Sequence, residues 1–143
     1  MSVTLLDVSV LIALFDRGHV RSGQVGDWFA ENAAAGWASC TVTENGFVRI
    51  VSQPNYPNPI GAADAVRMLG DATAHRFHEF WPCDVSITQP DLISLQPTLR
   101  SSQITDAYLL SLAVKHDGQF VTLDQRIDPG IVFGATPGHL VVL

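Results

Sequence analysis

The stretch SQITDAYLLSLAVKHDGQFVTLD, residues 102–124, decides the fold of this chain. It predicts a helix over about residues 103–116, whose almost wholly apolar middle indicates burial on more than one side. Gly118 is expected to supply the left-handed residue that ends this helix. The apolar run 119–122 then predicts a short buried strand. A helix followed at once by a buried strand is typical of α/β proteins.

The rest of the chain repeats this alternation of helix and strand. Strands are predicted at about residues 3–8, 37–40, 79–81 and 139–143, and helices at about 10–15, 19–35, 41–52 and 60–74. An ambiguous stretch, residues 84–99, is interpreted as containing one short helix near 91–95. Such alternation predicts a three-layer α/β/α domain with a mostly parallel central sheet. Because no linker divides the sequence, we expect a single domain over residues 1–143.

Composition limits the kinds of function that are compatible with this chain. The formal net charge is −6 and Lys115 is the only lysine, which excludes phosphate binding by a broad basic surface. The two cysteines, Cys40 and Cys83, form neither a disulfide framework nor a metal motif, which favours a reducing compartment. The N-terminus lacks the features of a signal peptide, and no run is apolar enough to span a bilayer. We therefore expect a cytoplasmic protein with no membrane partner.

Four carboxylates stand at the ends of predicted elements. Asp7 follows the first strand, Glu44 begins a helix, Asp106 lies in the first turn of the apolar helix, and Asp124 follows the next strand. The carboxyl ends of parallel strands share one edge of a sheet, so these side chains are expected to converge there. Converging carboxylates repel one another unless a cation joins them, and Mg²⁺ or Mn²⁺ prefers such oxygen ligands. Asp7 and Asp106 are predicted as the direct ligands.

The position of each acid can also be explained by a structural role, without any catalytic or metal-binding function. Asp7 could only cap the following helix, and Asp106 could only complement a helix dipole. Glu44 completes the pattern TVTE, residues 41–44, which matches a capping box. Asp124 could be an ordinary turn residue. The order of all four on this topology is what favours a shared site.

Polar and basic side chains near these acids are candidates for supporting roles. Ser9 and Thr105 adjoin candidate acids and could hydrogen-bond a carboxylate or a metal-bound water, although helix capping explains them equally well. Arg100, just before the acidic helix, and Arg49 are candidate phosphate contacts.

At this point the sequence resembles a known family. The segments LLDVSVLIAL (5–14), TENGFVR (43–49), ITDAYL (104–109) and FVTLD (120–124) resemble, in this order, the four motifs of PIN-domain proteins. The similarity spans nearly the whole chain and is strongest to VapC-type toxins of bacterial toxin–antitoxin pairs.

That resemblance implies a function and partners. It implies a magnesium-dependent endoribonuclease that cuts tRNA or rRNA, with Asp7, Glu44, Asp106 and Asp124 as its catalytic quartet. It also implies a homodimer that is neutralised by a cognate antitoxin protein. Two alternatives remain: a non-catalytic PIN-like module that only binds a partner, and a phosphotransferase with Asp7 as its nucleophile.

Overall fold

The computed structural model describes residues 2–143. Five strands, all parallel, form one sheet in the order β3-β2-β1-β4-β5. The prediction of a mostly parallel sheet is therefore confirmed. The strands are β1 Thr4–Leu6, β2 Trp37–Ser39, β3 His78–Phe80, β4 Gln119–Thr122 and β5 Leu140–Val142.

Five α-helices cover the two faces of this sheet. They are α1 Val8–Phe15, α2 Ser22–Asn32, α3 Thr41–Val51, α4 Ala62–Thr73 and α5 Ile104–Lys115. Apolar side chains of α1 to α4 pack with Leu6, Trp37 and Val121 on one face, and α5 packs with Leu5 and Phe120 on the other. Successive residues of a strand thus place their side chains in the cores on opposite faces of the sheet, and this gives the three layers. None of the helices within residues 2–143 is both long and apolar enough to cross a membrane.

Helix α5 lies at the centre of its layer, as its composition predicted. Leu109, Leu110 and Leu112 are fully buried, together with the alanines at either end of this run. Burying one leucine side chain contributes about 1.5–3 kcal/mol relative to leaving it exposed. The helix therefore anchors the strand that follows it, and with that strand the position of Asp124.

The end of α5 differs from the prediction in one respect. The left-handed residue is Asp117, at φ 54°, and not Gly118. The amide of Gly118 donates to the carbonyl of Ala113 at 2.9 Å, as in a Schellman ending. Glycine is required at position 118 for space, because a Cβ there would lie 2.7 Å from the ring of Trp81.

The short helix predicted at residues 91–95 is wrong. Ile93 instead forms an isolated antiparallel bridge with Val132, and both side chains are almost fully buried. Flanking backbone bonds join Ser94 to Ile131 and Phe133 to Leu92. A single helical turn between Pro90 and Pro97 has little stability of its own, so pairing with a distant segment prevails.

Candidate active site

Asp7 occupies the point where β1 passes into α1. Its Oδ1 accepts the amide of Val8 at 2.8 Å, so it caps the helix, a role that Ser9 does not take. Its Oδ2 accepts the hydroxyls of Thr122 at 2.6 Å and Ser9 at 3.2 Å. Burial raises the pKa of Asp7 above 3.8, although these three hydrogen bonds oppose the rise. Capping and a place in a site are therefore compatible at this residue.

Asp106 and Asp124 lie close enough to Asp7 for the three charges to interact. Burial, together with the charges of Asp7 and Asp124, raises the pKa of Asp106 from 3.8 to about 6. Asp124 pairs with Arg126, whose Nε and Nη2 donate at 3.1 and 3.2 Å. This pairing holds the pKa of Asp124 below its ordinary value. The structure thus brings together three of the four predicted acids.

The Glu44 carboxylate makes its contacts with other residues and not with these three acids. Its Oε2 accepts the hydroxyl of Ser39 at 2.6 Å, and the oxygen of that hydroxyl lies 2.8 Å from Nε2 of His78. Burial lowers the pKa of His78, and the charge of Glu44 opposes this effect. The charges that raise the pKa values of Asp7 and Asp106 do not include Glu44.

The capping-box interpretation of Glu44 is wrong. The residue that caps α3 is Cys40, and the hydroxyl of Thr43 accepts its amide at 3.0 Å. The cap is one position earlier than the pattern TVTE indicates, so Glu44 has no part in it. Its position is set by Ser39 and not by the helix end.

The predicted basic residues differ in their positions. Arg100 lines a small pocket together with Asp106, Asp124 and Arg126. Arg49 is exposed in the last turn of α3 and does not line this pocket. Thr105 is exposed, and its hydroxyl makes no hydrogen bond within residues 2–143.

Two residues of the site were not predicted. Thr122 is fully buried and holds Asp7, and Arg126 holds Asp124. The parallel register of β1 with β4 pairs Leu6 with Val121, so the next residues along, Asp7 and Thr122, meet. The signal for Thr122 was a hydroxyl at the end of a buried strand. That signal becomes specific only when the strand partner is known.

Comparison with known proteins identifies the family. The model of the PIN domain matches residues 4–129. Ribonuclease VapC44 of Mycobacterium tuberculosis is 52% identical over 139 residues, which cover 97% of this chain and 98% of the relative. Ribonuclease VapC38 is 40% identical over 126 residues, and Ribonuclease VapC39 is 35% identical over 124, both from the same organism. The chain belongs to the PIN-domain family, in its VapC-type branch. The resemblance seen in the four motifs is thus confirmed.

The donor set of this PIN domain suits a hard cation that keeps several waters. No group of three acidic, histidine or cysteine side chains in residues 2–143 could enclose a metal as they stand. Mg²⁺ commonly uses only one or two protein carboxylates, with waters as its other ligands. Asp7 and Asp106 fit that pattern, because Asp7 is buried, Asp106 is half-buried, and both have raised pKa values. A nearby cation would relieve their repulsion.

Proposed function

We propose that this protein is a metal-dependent endoribonuclease that hydrolyses RNA phosphodiester bonds, the toxin of a type II toxin–antitoxin pair. The observation that carries the proposal is the convergence of Asp7, Asp106 and Asp124 beyond the carboxyl ends of β1 and β4. Sites in open α/β sheets lie at this edge. The relatives named above are ribonucleases, which supports the same activity here.

The chain's own residues have distinct parts in this proposal. Asp7 and Asp106 would hold Mg²⁺, or Mn²⁺ in its place, and Ser9 and Thr122 keep the Asp7 carboxylate in one orientation. The bound metal would lower the pKa of a water and neutralise charge that develops on the phosphate. Arg126 favours the ionised form of Asp124, whose carboxylate could then orient a water.

Basic side chains at the pocket supply the positive charge that the chain otherwise lacks. Arg100 and Arg126 line the same opening as the acids, where they can contact phosphate oxygens. Arg49 stays a proposed RNA contact at a greater distance from the acids. We retain Glu44 as a proposed fourth catalytic acid, with Ser39 setting the orientation of its carboxylate.

The remaining expectations come from the family. We propose that the substrate is tRNA or rRNA and that a cognate antitoxin protein neutralises the enzyme. A homodimer and a cytoplasmic location belong to the same proposal. The level of identity to VapC-type relatives along nearly the full chain supports these assignments.

The test compares the wild-type chain with Asp7→Asn and Asp106→Asn. Each protein is shown to be folded by circular dichroism and then incubated with total bacterial RNA in Mg²⁺, in Mn²⁺ or in EDTA. We expect discrete fragments from the wild type only, and only with metal. Asp27→Asn, an exposed aspartate of α2, is the matched control and should cleave as the wild type does.

Two results would contradict the proposal. Equal cleavage by the wild type and both site variants would assign the activity to another centre or to a contaminant. If no protein cleaves and calorimetry detects no binding of Mg²⁺ or Mn²⁺, the non-catalytic partner-binding module becomes the better explanation.

A further inference from the structure

A second depression continues directly from the acidic pocket. The two share Gln103, Asp128 and Ile131 as lining residues. The acidic pocket has a free volume of only about 20 Å³, whereas the adjoining one has about 300 Å³. One water needs about 10–15 Å³, and ligand pockets begin at about 300 Å³. The acidic pocket therefore has room for a water or an ion, and the adjoining depression has room for a larger group.

The lining of this adjoining groove is polar and almost uncharged. Its lining includes Ser94, Gln96 and Thr98. The side-chain amide of Gln96 donates one hydrogen bond to the Ser94 hydroxyl at 3.2 Å, which leaves its carbonyl oxygen and a second N–H for a ligand. Asp128 is the only charged side chain on the lining, and one of its oxygens accepts the amide of Gly130 at 2.8 Å.

Where the groove meets the acidic pocket, the side chain of Gln103 offers a hydrogen-bond donor. The carbonyl oxygen of the Gln103 side chain accepts the amide of Arg100 at 2.8 Å, so its NH₂ group is the part left to bind a ligand. Leu99 and Ile131 contribute apolar surface on the same lining, against which a flat ring could pack. Amide and hydroxyl groups beside an apolar surface match the edges and faces of a nucleobase.

We propose that this groove, lined by Ser94, Gln96, Thr98 and Gln103, binds the nucleoside next to the scissile phosphate and recognises its base by hydrogen bonds. The positions of the charged side chains indicate how the nucleotide would be oriented. Arg100 and Arg126 lie at the acidic end, where the phosphate belongs, and the neutral groove beyond them suits an uncharged base. This inference rests on the proposed ribonuclease function and adds a specificity site to it.

Weak overall attraction for phosphate makes such a site important. The chain carries 8 basic against 14 acidic side chains, so counterion release supplies little of its affinity for RNA. Hydrogen bonds to a base do not depend on net charge. Selection of a cleavage site in this protein should therefore depend on the groove more than on long-range electrostatics.

The experiment measures binding apart from cleavage. Asp7→Asn protein is titrated with short oligoribonucleotides of each of the four bases, and the same is done after adding Gln96→Ala or Gln96→Glu. We expect the parent to prefer one or two bases, and each added change to reduce that preference by about three- to tenfold, the effect of one lost hydrogen bond. Gln24→Ala, an exposed glutamine of α2, should leave the preference unchanged.

Cleavage mapping on the catalytically intact background completes the test. Gln96→Ala should redistribute the mapped fragment ends among sites that differ in the base beside the cut. Equal binding of all four bases by the parent, or an equal loss for all four in the variants, would overturn the inference. So would variants that bind purified antitoxin more weakly while base preference and fragment ends stay the same. Failure of the ribonuclease proposal is a separate result, since it appears as absent cleavage and leaves the binding comparison readable.

Discussion

Asp106→Asn is expected to stabilise the metal-free protein at neutral and higher pH. Burial and the charges of Asp7 and Asp124 raise the pKa of Asp106 from 3.8 to about 6. An acid with a raised pKa binds its proton more tightly in the folded state, so the unfolded state loses its proton first as pH rises. The free energy of unfolding therefore falls as pH increases from about 4 through about 6, and asparagine removes this loss.

The magnitude follows from the same pKa. At about 1.36 kcal/mol per pH unit, a rise from 3.8 to about 6 corresponds to about 3 kcal/mol. Asp106 is only half buried, so solvent screening reduces this, and we expect about 1 kcal/mol. The variant should match the wild type near pH 4 and exceed it by about 1 kcal/mol near pH 8.

Urea denaturation in EDTA at several pH values measures this difference, provided that the slope with denaturant stays the same in both proteins. Asp27→Asn serves as the control for the loss of one negative charge from the surface. A gain of equal size at both ends of the pH range would refute the argument, and so would a loss near pH 8. Added Mg²⁺ should then stabilise the wild type by mass action and leave Asp106→Asn nearly unchanged.

Three further substitutions test the supports of the site. Thr122→Val keeps the side-chain shape but removes the 2.6 Å bond to Asp7, and should cost about 2 kcal/mol in urea unfolding and weaken Mg²⁺ binding in calorimetry. Asp117→Gly removes the steric cost of a non-glycine residue at φ 54°. It should increase the free energy of unfolding by about 0.5 kcal/mol, seen as a higher midpoint of thermal unfolding. Gly118→Ala places a Cβ 2.7 Å from the Trp81 ring and should cost at least about 2 kcal/mol, measured by the same unfolding.

The sequence was sufficient to predict the alternation of strands and helices and a mostly parallel sheet, but it did not predict the strand order. Alternating apolar runs and helical patterns admit few topologies, because parallel strands need helical crossovers of one hand. Asp7 and Asp124 follow neighbouring strands, and Asp106 begins the helix between them in the chain, so their proximity follows from the topology. No rotamer had to be known to place these three carboxylates at one edge.

Other features depend on contacts that a single segment does not reveal. The need for glycine at position 118 comes from Trp81, distant in sequence, which occupies the space beside it. The orientation of Glu44 depends on Ser39 and on His78, which the pairing of β2 with β3 brings together. Such side-chain directions arise from packing between elements, so local patterns cannot supply them.

The four acids differ in how their charges are compensated, and this difference has a chemical consequence. Asp124 has the cationic partner Arg126, whereas Glu44 accepts a hydrogen bond from a neutral hydroxyl, that of Ser39. Asp7 has only neutral hydrogen-bond donors, and Asp106 has the raised pKa of a carboxyl near two other negative charges. Charge that the fold leaves uncompensated is where an external cation gains most. The raised pKa values of Asp7 and Asp106, which Asp124 does not share, therefore support the proposal that these two carboxylates hold the metal.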